Sequence, residues 1–236
     1  MGDGARVIGA MTRTYAIPDL HGRLDLLNMA LERIVEHSAG HRGTIVTLGD
    51  YVDRGPDSRG VIERLLGWKS SVLSLVALKG NHEAMMWEVC NHLAELPAWI
   101  RNGANATLAS YGEPGDPPSV KVIARAHIDW IAELPLVHVD QHRLFVHAGV
   151  DPAVPPDRQN EQTALWMRYR KGHKQGHGRR HVVHGHRADP AAPLVTSGRT
   201  NLDGMAWKTG RLVVGVFEDD RPGGAKEFLE VIGTPG

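Results

Sequence analysis

The chain has a single cysteine, Cys90, in 236 residues. No internal disulfide can form, and the cytoplasm is the expected location. Charge of one sign is not in excess either. Lys plus Arg number 27 and Asp plus Glu number 27, so the formal net charge is zero. A nucleic-acid polymer or a membrane surface is therefore not an expected partner. Apolar runs of membrane-spanning length are missing, and residues 1–13 hold no apolar stretch of the kind a secretory signal needs. Residues 1–12 read instead as a disordered leader, with Met11 a candidate internal start. What is abundant is histidine, 14 in all, in a chain whose 42% hydrophobic and 23% charged content is that of an ordinary globular domain. Histidine in such number points to metal ligation or proton transfer.

The chain opens with a regular alternation. Residues 14–17 form a short β-rich run ending at Asp19. Residues 23–36 carry a helical apolar stripe at Leu24, Leu27, Leu31 and Ile34. A second β-branched run, 44–48, ends at Asp50. Residues 58–66 read as a helix, and 72–78 as a buried strand ending at Gly80-Asn81. Asp19 to Asp50 is 31 positions, and Asp50 to Asn81 is 31 again. That is the length of one βαβ unit, so three polar turns should lie at the carboxyl ends of adjacent parallel strands, where open α/β sheets build their sites. Residues 84–130 differ. They lean helical, hold Trp87, Trp99, Tyr111 and Trp130, and are broken at 112–118, which suggests a cap inserted in one domain spanning 1–236. Trp130 fits a cap core, whereas Trp87 and Trp99 could wall a substrate groove. After Leu134 the pattern turns β-rich, at 143–147, 181–184, 194–196, 211–217 and 226–231, with hairpin turns expected at 208–210 and 222–224. The architecture expected is α/β, two packed mixed β-sheets flanked by helices, with a small helical cap.

Four turns follow four of these strands: Asp19-Leu20-His21-Gly22, Gly49-Asp50-Tyr51-Val52-Asp53-Arg54-Gly55, Gly80-Asn81-His82-Glu83 and His147-Ala148-Gly149. A fifth is His184-Gly185-His186. Each sets Asp, Asn or His beside glycine, which permits a tight turn and a close approach of backbone to ligand. Carboxylate, imidazole and amide oxygen together suit a borderline divalent ion such as Mn, Fe or Zn, and the lack of thiolate argues against a structural zinc site.

These turns resemble the signature of the calcineurin-like metallophosphoesterases, in particular the phosphoprotein phosphatase branch. The second turn matches GDxxDRG and the third GNHE, and the likeness runs in order over residues 14–217. The resemblance implies the calcineurin-like metallophosphoesterase fold and a centre of two divalent metal ions, with Mn expected and Fe or Zn as alternatives. It implies that Asp19 and His21 bind the first ion, that Asp50 bridges both, and that Asn81, His147 and His186 complete the second. His184 competes with His186, which is preferred because it follows the glycine. His82 would protonate the leaving oxygen with Asp53 paired to it, and Arg54 would hold the phosphate beside Asn81 and His82. Trp166-Met167-Arg168 resembles the W-x-R segment of bacterial and phage protein phosphatases, so Arg168 would be a second phosphate clamp, with Arg170 and Lys171 as neighbours that could serve instead. Two positions depart from the family pattern: Pro18 stands for a glycine and Arg187 for a threonine. Asn201 and Asp203 are given structural roles.

The expected function is hydrolysis of phosphate monoesters by a metal-bridging hydroxide in a bacterial-type serine/threonine protein phosphatase. Its partner would be a phosphorylated protein or a small phosphoester. One alternative is a symmetrical dinucleoside polyphosphate (diadenosine tetraphosphate) hydrolase, with Trp87, Trp99 and Tyr111 as base-stacking candidates. Against it stand the acidic, proline-rich loop 113–118, expected to repel a polyphosphate, and the cations expected at the site, Arg54, Arg168 and Arg187, which suffice for one phosphoryl group where a tetraphosphate needs more. A catalytically idle metal-binding scaffold is the alternative from another class, opposed by the intact Asp53, Arg54 and His82.

Overall fold

The computed structural model describes residues 12–236 except Pro114, Asp116, Pro118 and Lys171. All but Thr12 of the expected leader, and half of the loop 113–118, thus lie outside the described residues. Five strands form the first sheet: β1 (Arg13–Ile17), β2 (Gly43–Thr47), β3 (Leu73–Ala77), β9 (Arg211–Glu218) and β10 (Glu227–Ile232), in the order β10-β9-β1-β2-β3. β1, β2 and β3 run parallel, while β9 and β10 run antiparallel at one side. The helices α1 (Leu24–Ser38) and α2 (Ser58–Leu66) make the two crossovers. The stripe on α1 is buried as its spacing requires, at Leu27, Leu31 and Ile34. The α2 N-terminus is capped by the Asp57 side chain, which accepts from the Gly60 amide.

A second sheet holds β4 (Val137–Val139), β5 (Arg143–Val146), β6 (His181–His184), β7 (Leu194–Val195) and β8 (Arg199–Asn201), ordered β4-β5-β6-β8-β7. β5, β6 and β8 are parallel. Strand side chains alternate between faces, and this alternation builds three cores, one of them on the outer face of the second sheet at Leu144, Val146 and Val182. Tyr15, Ile17 and Ile45 pack toward the helices. Ala16 and Val46 meet Phe145, Val183, Leu202 and Phe217 between the sheets. Phe145 and Phe217 meet edge to face there, with ring centroids 5.6 Å apart, so Phe145→Ala would cost ~3–5 kcal/mol.

Residues 84–130 contain most of α3 (Asn81–Cys90), then α4 (Leu96–Ile100), α5 (Ala104–Tyr111) and the first part of α6 (Arg125–Glu133). They share their core with the α1–α2 face through Trp99, Leu108, Tyr111 and Ile128. Two short helices complete the chain, α7 (Glu161–Trp166) and α8 (Ala206–Thr209). α8 corrects the hairpin turn expected at 208–210, because β8 and β9 belong to different sheets and a helix links them. The turn at 222–224 does join an antiparallel pair, β9 and β10. Among the described residues no helix is long and apolar enough to cross a membrane.

Candidate metal centre and its cleft

The polar turns follow the carboxyl ends of β1, β2, β3, β5 and β6, and they converge. Asp50 stands at the centre. Its Oδ2 lies 3.5 Å from His21 Nε2, and its Oδ1 lies 3.4 Å from His147 Nε2, one imidazole on each side of the carboxylate. Two groups of potential ligands result, His21–Asp50–His82 and Asp50–His147–His186. Asn81 Oδ1 joins the second, 2.8 Å from His147 Nε2 and 3.0 Å from His186 Nδ1. Asp19 is buried, and both its oxygens accept from the His186 amide at 3.2 and 3.1 Å. His184 turns away, its ring bonded to Arg199 and to the Gly185 carbonyl.

The backbone is bent hard to achieve this. His21, Asp50, Asp53, Arg54 and His186 all have positive φ, between 44° and 73°. Side chains rarely adopt this region, and residues held there cost on the order of 1–3 kcal/mol each unless their surroundings impose the conformation. One restraint is Glu83. Its buried carboxylate accepts the amides of Asp50 (2.8 Å), Tyr51 (2.7 Å), Val52 (3.3 Å) and Gly80 (2.9 Å), tying the second turn to the third. Burial raises Glu83 to about 7, and those four N–H groups oppose the rise. Another restraint is Gly185, whose missing side chain makes room for Asp19: a Cβ there would stand 1.9 Å from Asp19 Oδ1.

The donor chemistry fits metal ions. His21 Nδ1 donates to the Val52 carbonyl and His147 Nδ1 to the Leu48 carbonyl, each at 2.8 Å. Such bonds fix the tautomer and leave the Nε2 lone pairs facing inward. Two acceptors, His147 Nε2 and Asn81 Oδ1, then face each other at 2.8 Å with no proton of their own to share. His186 Nε2 is buried without a partner among the described residues. Burial pushes Asp19 and Asp50 well above the usual carboxylate range, and nearby acids push further: Asp203 and Asp50 on Asp19, Glu83 on Asp50. Burial, with neighbouring cationic groups, holds His21 and His147 well below theirs. A pocket that disfavours both charged states gains from bound divalent cations, which need carboxylates ionised and imidazoles neutral.

Arg54 spans the front of the cluster, its guanidinium 2.5 Å from His21 Nε2 and 3.0 Å from His82 Nε2. His82 Nδ1 meets Asp53 Oδ2 at 2.6 Å. Asp53 has no exposure, and the other contacts of its carboxylate come from α4 and α5. Thr107 Oγ1 donates to Oδ1 at 2.6 Å, and Trp99 Nε1 donates to Oδ2 at 2.8 Å. Burial raises Asp53 to about 7, opposed by these two bonds and by the charge of Arg54. Burial also holds His82 well below its ordinary value, aided by Arg54 and His186. One proton on the Nδ1–Oδ2 axis satisfies both groups.

The cluster opens into a cleft of about 510 Å³ whose wall includes Arg54, Arg168, Arg187, Trp166 and Asp203. Arg168 reaches it and Arg170 does not. A larger groove of about 720 Å³ runs along β3, lined by Trp68 and Trp130, and contains none of the site residues. Three expectations change. Trp99 is buried against Asp53 and Tyr111 is buried against His127, so neither walls a groove, and Trp87 packs on the core. Asp203, expected to be structural, lines the cleft itself. It is buried at the cleft beside Asp19, with its carboxyl raised to about 6 by burial. The signal was available, because Asp203 follows β8 as the other acids and histidines follow their strands. Asn201 does hold backbone, donating to the Arg187 carbonyl. The exposed Trp166 is the aromatic that the cleft presents.

Comparison with known proteins agrees with this geometry. The profile of the family described as Calcineurin-like phosphoesterase matches residues 12–222. A symmetrical bis(5'-nucleosyl)-tetraphosphatase of Pseudomonas fluorescens (strain SBW25) is 31% identical over 141 residues, 59% of this chain and 44% of that protein. The protein of the same name from Dechloromonas aromatica (strain RCB) is 32% identical over 148 residues, 63% of this chain and 48% of its own. The chain thus spans less than half the length of these relatives. Among solved structures, a protein provisionally named diadenosine tetraphosphatase superposes with a TM-score of 0.64 at 24% identity, covering 95% of each chain. A protein serine/threonine phosphatase from Saccharomyces cerevisiae superposes at 0.54 and 14% identity, covering 96% of this chain and 82% of its own. Both show the fold alone.

Proposed function

Since the chain belongs to the calcineurin-like phosphoesterase family, we infer that this metallophosphoesterase acts on dinucleoside polyphosphates at a centre of two divalent ions, with Mn expected. The observation that carries the substrate choice is the convergence of Arg54, Arg168 and Arg187 with the exposed Trp166 on one cleft. Guanidinium groups grip phosphoryl oxygens in bidentate fashion, and three of them beside two ions suit a chain of phosphates better than one phosphoryl group. The loop 113–118, expected to repel a polyphosphate, contributes none of its described residues to the cleft wall. The names of the relatives above point the same way.

Asp19, His21 and Asp50 would hold one ion, and Asp50, Asn81, His147 and His186 the other. When bound, such ions supply an activated water and neutralise the phosphoryl oxygens. Arg54 and Arg168 orient the reacting phosphoryl group from the open side. His82, although close enough to count in the first group of potential ligands, is given the general-acid role because its Nδ1 is held by Asp53, and its Nε2 delivers a proton to the leaving oxygen. Asp53, bonded to Nδ1, fixes the ring plane and stabilises the protonated imidazole. Glu83 keeps the Asp50 turn in its bent form.

The test is a panel under identical Mn and salt: diadenosine tetraphosphate, a phosphoserine peptide and p-nitrophenyl phosphate. The dinucleotide should give the highest kcat/KM, with ADP as the product. A clear preference for the phosphopeptide would overturn the substrate assignment.

A further inference from the structure

We propose that Trp166 and the hollow behind it form the subsite for one purine base of the substrate. This rests on the dinucleotide reading above, but it can be tested apart from it. Trp166 ends α7 and is 40% exposed, unusual for the largest side chain of a small helix whose Ala164 and Leu165 are buried. It borders two spaces at once. On one side it lines the catalytic cleft, with its ring edge-on to the candidate ligand His186 at 6.4 Å between centroids. On the other it lines a separate hollow of about 410 Å³ with Asp151, Pro152, Gln162, Thr163 and Met167.

The chemistry of that hollow suits a base. Its lining combines the apolar indole, Met167 thioether and Pro152 ring with an amide, a hydroxyl and a carboxylate, which can donate to and accept from the edge of a purine. The Gln162 amide makes no hydrogen bond to any described residue and is free to pair with a ligand, whereas Asp151 is held in place through its own backbone by Gln159. Arg168 stands two residues beyond Trp166 on the cleft wall. A nucleotide whose phosphates lie among Arg54, Arg168 and the metal ligands would therefore carry its base past His186 onto the indole face.

Stacking of a base on an aromatic side chain is worth roughly 5- to 150-fold in affinity by alanine substitution. The experiment measures binding of AMP and of ribose 5-phosphate to the Mn-loaded protein by calorimetry. The two ligands share the phosphate and the sugar and differ by the base. The wild-type protein should bind AMP more tightly than ribose 5-phosphate by a factor in that range. Trp166→Ala should bring the two affinities together, and Trp166→Phe should restore most of the difference. Gln162→Ala should reduce discrimination between AMP and UMP. Equal affinities for AMP and ribose 5-phosphate in the wild type would overturn the subsite, as would a difference that persists in Trp166→Ala. The substrate panel fails separately: a protein that prefers the phosphopeptide yet binds AMP through Trp166 would refute the reaction assigned above and leave the base subsite standing.

Discussion

Replacing Thr107 by valine changes almost nothing in shape and removes one hydroxyl from the buried surroundings of the His82–Asp53 pair. That hydroxyl donates to Asp53 Oδ1 at 2.6 Å and accepts the Asp53 amide at 2.8 Å. The amide keeps a second partner in Ser58 Oγ at 3.0 Å, so it is not orphaned by the change. What is lost is a bond to a fully buried carboxylate, together with a 3.0 Å bond to the buried Ser58 hydroxyl. Hydrogen bonds to charged groups contribute ~1.5–3 kcal/mol, and an unsatisfied buried oxygen adds a desolvation cost. A destabilisation of ~2–4 kcal/mol is expected, a large share of the ~5–15 kcal/mol that holds a typical domain. The same bond also lowers the Asp53 pKa against burial. Without it the carboxyl rises further, so the ionised partner of His82 is lost at a higher pH. The acidic limb of the kcat profile should then move to higher pH, while metal stoichiometry stays at two. Urea unfolding and a pH–rate profile measure both effects. A variant within 0.5 kcal/mol of wild type, with an unmoved acidic limb, would refute the claim that α5 clamps Asp53 through Thr107.

Two further outcomes follow from the same geometry. His82→Asn should retain both metal ions and lose ~10²–10⁴-fold in kcat, with the greater loss on alkyl phosphates than on p-nitrophenyl phosphate, whose leaving group needs little protonation. Equal losses on both would contradict the acid role. His181, at the start of β6 and outside the metal cluster, is held by burial below its ordinary 6.5, at about 4. Its neutral form is the one the fold favours, so its stability contribution is complete above pH 6.5 and is lost as pH falls through about 4. At 1.36 kcal/mol per unit this shift is worth ~3 kcal/mol. His181→Gln should flatten the decline of unfolding free energy between pH 6.5 and 4, and an unchanged slope would place the acid sensitivity elsewhere.

Much of the fold was legible because its signals are local. The 31-residue spacing of Asp19, Asp50 and Asn81 follows from strand and crossover lengths, and the glycines beside them announce tight turns. The turns themselves carried the candidate ligands: those after β1, β2 and β3 meet through one parallel sheet, while His147 and His186 reach Asp50 because the second sheet packs against the first. What escaped depends on partners distant in sequence. Trp99 looked like a groove wall because nothing near it in the chain shows that its indole nitrogen meets Asp53, 46 residues away. Thr107 sits inside an unremarkable helix, and only the packing of α5 against α2 brings it to the same carboxylate. The place of Asp203 at the cleft follows from β8 pairing beside β6 in the second sheet, a neighbourhood that the local sequence does not show. Trp166 was passed over for Arg168, although exposure of the indole marks the cleft wall just as clearly.

The central claim is a binuclear centre bridged by Asp50, and metal titration tests it most directly. Protein stripped by a chelator should have no phosphoesterase activity and should bind two Mn ions per chain as activity returns. Asp50→Asn should bind fewer than two and recover almost none of the rate. Full turnover in metal-free protein, or two ions and normal turnover in Asp50→Asn, would contradict the account.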